Sequence, residues 1–159
     1  MLVWNILLAV IWASLRGNFT TENLIMGYII GYLLLALLAR QGIIESQAYI
    51  RRIPKIISLI LFFHWELILA NLRLAWDSIT PGYQMTPGII AIPLDVQTDA
   101  EITLLSNLIT LTPGTLSLDV SEDKSVLYIH AMFIDDGDVE RVVRSIKNGF
   151  EKRVMDILR

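Results

Sequence analysis

Three apolar stretches crowd the first half of this chain: Leu2–Leu15, Leu24–Ala39 and Ile56–Trp76. None carries more than a few ionisable groups. From about Ser78 onward the sequence has the mixed composition of an ordinary water-facing domain. Over the whole chain 54% of residues are hydrophobic, above the ~45–50% usual for soluble domains. The pattern predicts a membrane protein with a small water-facing domain, and it excludes most soluble-enzyme readings. The expected division is residues 1–77 for the membrane or interfacial helices and 78–159 for the soluble domain.

The ionisable residues divide as unevenly as the apolar ones. Residues 1–77 hold six Lys/Arg and four Asp/Glu, and residues 78–159 hold seven Lys/Arg and twelve Asp/Glu. An acidic second half argues against a nucleic-acid partner, whose phosphates need a basic surface. With no cysteine, thiol chemistry and cysteine-ligated metals are excluded. The N-terminal apolar run has no Lys or Arg before it and no small-residue cleavage site after it, which argues against a signal peptide.

A bilayer-spanning helix needs ~20 residues, so the first two stretches are short and draw on their flanks. The polar turn Arg16–Asn23 between them predicts a helical hairpin. Gly27 and Gly31 stand four apart, a spacing that lets another helix backbone approach closely; it is read as a partner-helix contact or as chance. Positive charges set the orientation. Arg40, Arg51, Arg52 and Lys55 place the longer connection on the cytoplasmic side, and the N-terminus with it.

The third stretch is open to two readings. It is long enough to span, but His64, Glu66, Asn71 and Arg73 interrupt it. At ~100° per residue, Glu66, Arg73 and Asp77 share one face, while His64 and Asn71 fall on another. Such a helix lies in the membrane interface or is buried among partner helices. The polar stripe favours two spans, with the third helix amphipathic at the inner face and the soluble domain cytoplasmic. Buried His64 or Glu66 could relay protons. The blander reading, headgroup contact or pairing with neighbouring chains, weighs more.

The second half reads as β-α-β-β-α. Ile89–Val96 is a strand, placed at an edge or bulge by Pro93. Thr98-Asp-Ala-Glu101 has the form of a capping box and opens a helix with Ile102, Leu105, Leu108 and Ile109 on one face. Thr112-Pro113-Gly114 ends it. Thr115–Val120 alternates, with Leu116, Leu118 and Val120 expected inward. A turn at Ser121–Lys124 leads to the returning strand Ser125–Phe133. The last helix repeats Val139, Val142, Val143, Ile146, Phe150 and Ile157 at helical spacing. Helices on one face of a three-stranded sheet make a small α+β layer. Around 75 residues is marginal for an independent core, so docking on the membrane half or a partner would help.

No catalytic, cofactor or metal site is expected. Asp135, Asp136 and Asp138 lack the twelve-residue spacing and closing glutamate of a calcium loop, and helix capping by Asp138 explains them more simply. His130 has no second histidine in the soluble half. Ser106 and Ser117 sit in no nucleophile motif.

The run Glu101-Ile-Thr-Leu-Leu-Ser-Asn-Leu-Ile-Thr-Leu-Thr-Pro-Gly-Thr115, with Leu118-Asp-Val-Ser121 and Leu127-Tyr-Ile-His-Ala131, resembles the E subunits of the multisubunit cation/proton antiporters of bacteria, the Mrp or Mnh complexes. Pro87–Pro93, Glu66–Asn71 and the overall layout are similar too. The resemblance implies a multi-pass subunit of the bacterial cell membrane, in a complex that exchanges cytoplasmic sodium for external protons. Its partners would be the other subunits, including large ones related to the proton-pumping subunits of respiratory complex I. The implied role is accessory and non-catalytic, in assembly or stability and so in sodium efflux and pH homeostasis. Glu101 would serve as cap, and Pro113 and Gly114 as turn. The alternative is a homo-oligomeric membrane anchor whose acidic domain recruits a soluble partner.

Overall fold

The computed structural model describes residues 2–43, 47–81 and 85–159. The side chains of residues 47–49 and of Asp136 lie outside that description. Contacts divide the chain into two compact units, Met1–Pro54 and Lys55–Arg159.

The first unit holds α1 (Leu2–Leu15), α2 (Thr21–Arg40) and the first turns of α3 (Gln47–Ile79). Thr20 caps α2, its hydroxyl accepting from the Asn23 amide at 3.4 Å. The short connection makes α1 and α2 antiparallel, and small residues form their seam. Asn5, Ala9 and Ala13 are buried on α1; Gly27, Gly31, Leu35 and Ala39 are buried on α2. The Tyr32 hydroxyl donates to the Ile50 carbonyl at 3.0 Å. Outward, both helices are apolar, with Leu7, Ile11, Ile25, Leu33 and Leu37 among the exposed side chains. α2 and the segment Ile50–Ile79 are long and apolar enough to cross a membrane; α1, at 14 residues, is shorter.

The second unit starts inside α3. It continues through β1 (Gly88–Pro93), α4 (Asp99–Leu111), β2 (Thr115–Val120), β3 (Val126–Ala131), a 3-10 turn at Asp135–Gly137, α5 (Val139–Ile146), a π turn at Lys147–Glu151 and α6 (Lys152–Leu158). The sheet is antiparallel in the order β1-β3-β2. Pro93 therefore sits at the end of an edge strand, where its missing N–H costs no ladder bond. The core lies on one face of the sheet: Ile90, Ile92, Leu127 and Ile129 meet Leu105 and Ile109 of α4 and Phe150 and Val154 of the C-terminal helices.

Two features depart from the sequence expectation. The compositional boundary near residue 77 is not the contact boundary. Leu59 belongs to the buried core of the second unit, with Phe62 and Phe63 packed against it. The Phe62 ring stands edge-on to Phe150 at 5.2 Å, and the Arg153 guanidinium lies 3.7 Å above Phe62. The small α+β layer gains core from α3.

The second departure is the facing of β2. Leu116 and Leu118 point outward, each 47% exposed, rather than into the core. Polar Thr115 and Ser117 take the inner positions because α4 offers them acceptors. The Thr115 hydroxyl donates to the Ile109 carbonyl at 2.6 Å, and the Ser117 hydroxyl to the Ser106 carbonyl at 3.0 Å. A bulge between Ser117 and Asp119 then breaks the two-residue period.

Candidate functional site

The residues singled out from sequence fall into three places. Gly27 and Gly31 lie on the α1–α2 seam. A Cβ at Gly27 would stand 2.9 Å from the Ala9 backbone and from the Trp12 Cβ. One at Gly31 would collide with the Asn5 side chain and come within 3.0 Å of the Leu8 Cβ. The close approach at these glycines is made by α1 of the same chain. The pairing is legible only once the hairpin register is known.

Glu101, Pro113 and Gly114 bracket α4. The Glu101 carboxylate is 2% exposed. It accepts from the backbone N–H of Gln97 at 2.9 Å and of Thr98 at 3.1 Å. The Thr98 hydroxyl accepts from the Glu101 N–H at 3.3 Å, which completes the capping box. Arg159 Nε donates to the same carboxylate at 3.0 Å, and its Nη2 reaches the Asp95 carbonyl at 3.1 Å. The Gln97 amide first, then Arg159 and Thr98, hold Glu101 well below its ordinary value, at about 2. At the other end, Thr115 N–H donates to the Thr112 carbonyl at 3.2 Å across a turn with Pro113 second and Gly114 third. Gly114 has φ +90°. That is a type II turn, whose third position needs positive φ and whose second suits proline.

His64, Glu66, Asn71 and Arg73 lie on α3, on two faces. Residues 64 and 66 are ~200° apart around a helix, so His64 and Glu66 do not face one another. His64 Nδ1 lies 2.8 Å from the Ile60 carbonyl, and Asn71 donates to the Leu67 carbonyl at 2.7 Å. Both are satisfied by their own helix, among exposed Leu61, Trp65, Ile68 and Leu72. Glu66 and Arg73 turn the other way, into a cleft of 440 Å³ within the second unit. Its walls are α3, the Thr112–Thr115 turn, Phe133 after β3, and α5. The Arg73 guanidinium pairs with Asp135 and lies 4.3 Å above the Phe133 ring. Asp138 also lines the cleft and caps α5, accepting from the Arg141 amide at 2.9 Å.

One ion pair, a half-buried lysine on a buried carboxylate, is not legible in sequence. Glu151, 1% exposed, accepts from the N–H groups of Asp95 at 2.6 Å and Val96 at 3.2 Å. Lys147 lies 3.1 Å from Glu151 and 2.9 Å from Asp95, and donates to the Pro93 carbonyl at 2.7 Å. Burial pushes the Lys147 pKa down, but its bonds to Asp95 and Glu151 more than offset this and raise it. Four residues apart on a helix, the two read as an ordinary surface pair; nothing local shows that they secure the exit of β1.

Among the described residues no group of three His, Cys, Asp or Glu side chains is arranged to hold a metal ion. The geometry is that of a clamped scaffold: a tight hairpin, a helix with one apolar and one charged face, and a small domain with buried carboxylates securing its turns.

The model of the Na+/H+ ion antiporter subunit family matches residues 5–157. The chain is 40% identical over 153 residues to the E subunit of the Na+/H+ antiporter of Alkalihalophilus pseudofirmus, covering 96% of this chain and 94% of that one. To the E1 subunit of the Na+/H+ antiporter of Staphylococcus aureus it is 41% identical over 156 residues, covering 98% and 96%. Among solved structures it is similar to a chain of the Mrp complex from Dietzia, with a TM-score of 0.50 and 29% identity over 65% of this chain and 96% of that one. It is also similar to a chain of the membrane-bound sulfane sulfur reductase, an archaeal respiratory membrane complex, with a TM-score of 0.56 and 29% identity over 98% and 97%. Family match and near full-length identity agree: the chain belongs to the E-subunit family of Na+/H+ antiporters.

Proposed function

We propose that this chain is an accessory, non-catalytic subunit of a multisubunit Na+/H+ antiporter in the bacterial cell membrane. It anchors a cytoplasmic domain and serves assembly of the complex, and through that sodium efflux and pH homeostasis. Its partners are the other subunits, including the large complex-I-like ones that the family resemblance implies. The observation that carries the reading is the division of α3 into two faces. One face is built into the sheet domain, through Leu59 in its core, Arg73 with Asp135, and the Lys55 ammonium donating to the Asp156 carbonyl at 2.6 Å. The other presents Leu61, Trp65, Ile68, Leu72 and Ile79 outward. A helix sealed along one side to a water-facing domain cannot be surrounded by hydrocarbon, since spanning would carry the domain's polar surface into the bilayer. An in-plane helix satisfies both faces. His64 and Asn71, folded back on their own carbonyls, suit an apolar side.

On this reading the hairpin spans. α2, with 20 residues, measures ~30 Å, about the hydrocarbon thickness. α1 reaches the same depth with its flanks. Arg40, Arg51, Arg52 and Lys55 mark the cytoplasmic side, and two spans leave the N-terminus and the domain there together. The alternative, a self-associating anchor, loses the support of Gly27 and Gly31, which α1 of the same chain occupies.

The test is purification in mild detergent through a tag on this chain, with mass spectrometry of what co-elutes, beside purification of the remaining subunits from cells lacking it. Co-elution of large complex-I-like subunits, and a smaller or absent complex in the deletion strain, is the expected result. A particle containing this chain alone would overturn the proposal.

A further inference from the structure

The cleft beside α3 is lined by three carboxylates and two guanidinium groups, Arg73 and Arg141, and the chain uses two of the carboxylates. Asp135 pairs with Arg73; Asp138 caps α5 and lies 3.8 Å from Arg144. Glu66, half-buried on the cleft wall, has no hydrogen-bond or ion-pair partner among the described residues. The apolar surface around it includes Leu69, Ile109 and Phe150. A carboxylate held half out of water beside an apolar floor gains from a counter-ion. The chain shows what such a counter-ion looks like two helical turns along the same face: Arg73 brings an aliphatic stem, lays its guanidinium over Phe133 and pairs with Asp135. A long basic side chain matches both halves of the cleft, stem on apolar wall and charge on carboxylate. A metal ion does not, for lack of a multidentate group among the described residues.

We propose that this cleft receives a Lys or Arg side chain from a neighbouring subunit of the antiporter, with Glu66 as its counter-ion. The proposal rests on the accessory-subunit reading above. It makes Glu66 a docking residue, whose own charge selects the sign of the partner's side chain.

The experiment compares tagged wild-type complex with Glu66→Lys, Glu66→Gln and, as a charge reversal at the exposed hairpin turn, Glu122→Lys. Two quantities are read: the neighbouring subunits retained as NaCl rises, and the amide-exchange protection of Ile89–Ile92 in this chain. Expected is a loss of about 10-fold in retained subunits for Glu66→Lys and about 3-fold for Glu66→Gln, as for removal of a partner from a docked charge pair. Glu122→Lys and the exchange protection stay at wild-type level. If Glu66→Lys disturbs the fold, the isosteric Glu66→Gln decides. Wild-type retention in Glu66→Gln overturns the proposal. So does wild-type retention combined with loss of a co-purifying aminophospholipid, which would assign the cleft to a lipid amine. Failure of the wild-type chain to retain any other subunit would instead overturn the accessory reading itself.

Discussion

Replacing Glu101 by alanine removes an acceptor that three donors share and leaves the rest of the capping box in place, because the Thr98 hydroxyl still accepts from the residue-101 amide. The Gln97 and Thr98 N–H groups, part-buried at 2.9 and 3.1 Å from the carboxylate, lose their acceptor, at about 1 kcal/mol each. The Arg159 side chain is 50% exposed, so water replaces much of that pair and its loss adds about 0.5 kcal/mol. The expected cost is about 2–3 kcal/mol. Hydrogen exchange of the detergent-solubilised chain reads it directly: amides of Ile90, Ile92 and Leu105 should exchange about 30- to 150-fold faster in Glu101→Ala. A pH arm isolates the carboxylate. The folded value, about 2, lies below the ordinary 4.5, so this stabilisation is complete above pH ~4.5 and is lost as pH falls towards ~2. Wild type and variant should therefore converge over that window. An exchange difference under two-fold at neutral pH, or one that does not shrink on acidification, would refute the reasoning.

Two further substitutions test the joints of the scaffold. Gly114→Ala places a Cβ at φ +90° and should cost about 1–3 kcal/mol, lowering the thermal midpoint of the detergent-solubilised chain; an unchanged midpoint would mean that the turn has relaxed into another type. Gly27→Val drives a side chain into the Ala9 backbone, 2.9 Å from the site of its Cβ. It should loosen the hairpin, so that limited proteolysis cuts the Arg16–Thr20 connection faster, whereas Leu33→Val on the exposed face of α2 should leave the rate unchanged.

Local chemistry explains what is legible in the sequence. The capping residues of α4, the Pro113-Gly114 turn and the helical repeat of Ile102, Leu105 and Ile109 each act within a few residues, so spacing alone exposes them. The facing of β2 escapes such a reading because Thr115 and Ser117 are satisfied by α4 carbonyls eleven or fewer residues away, a tertiary arrangement that reverses the inside of the strand. The charged stripe of α3 is visible in sequence, but not that Arg73 meets Asp135, 62 residues on. Lys147 and Glu151 show the same limit: their i,i+4 spacing is that of any solvent-exposed pair, and nothing near them in sequence shows that Glu151 is buried against the Asp95 and Val96 amides.

The arrangement of two spans with an in-plane α3 can be tested most directly by thiol labelling, since the chain contains no cysteine. Phe19→Cys marks the hairpin turn and Glu122→Cys the tip of the β2–β3 connection. With a membrane-impermeant maleimide, the account predicts that Phe19→Cys labels in intact cells, while Glu122→Cys labels only in inverted vesicles. Labelling of both from outside the cell would mean that α3 crosses the membrane, and would contradict it.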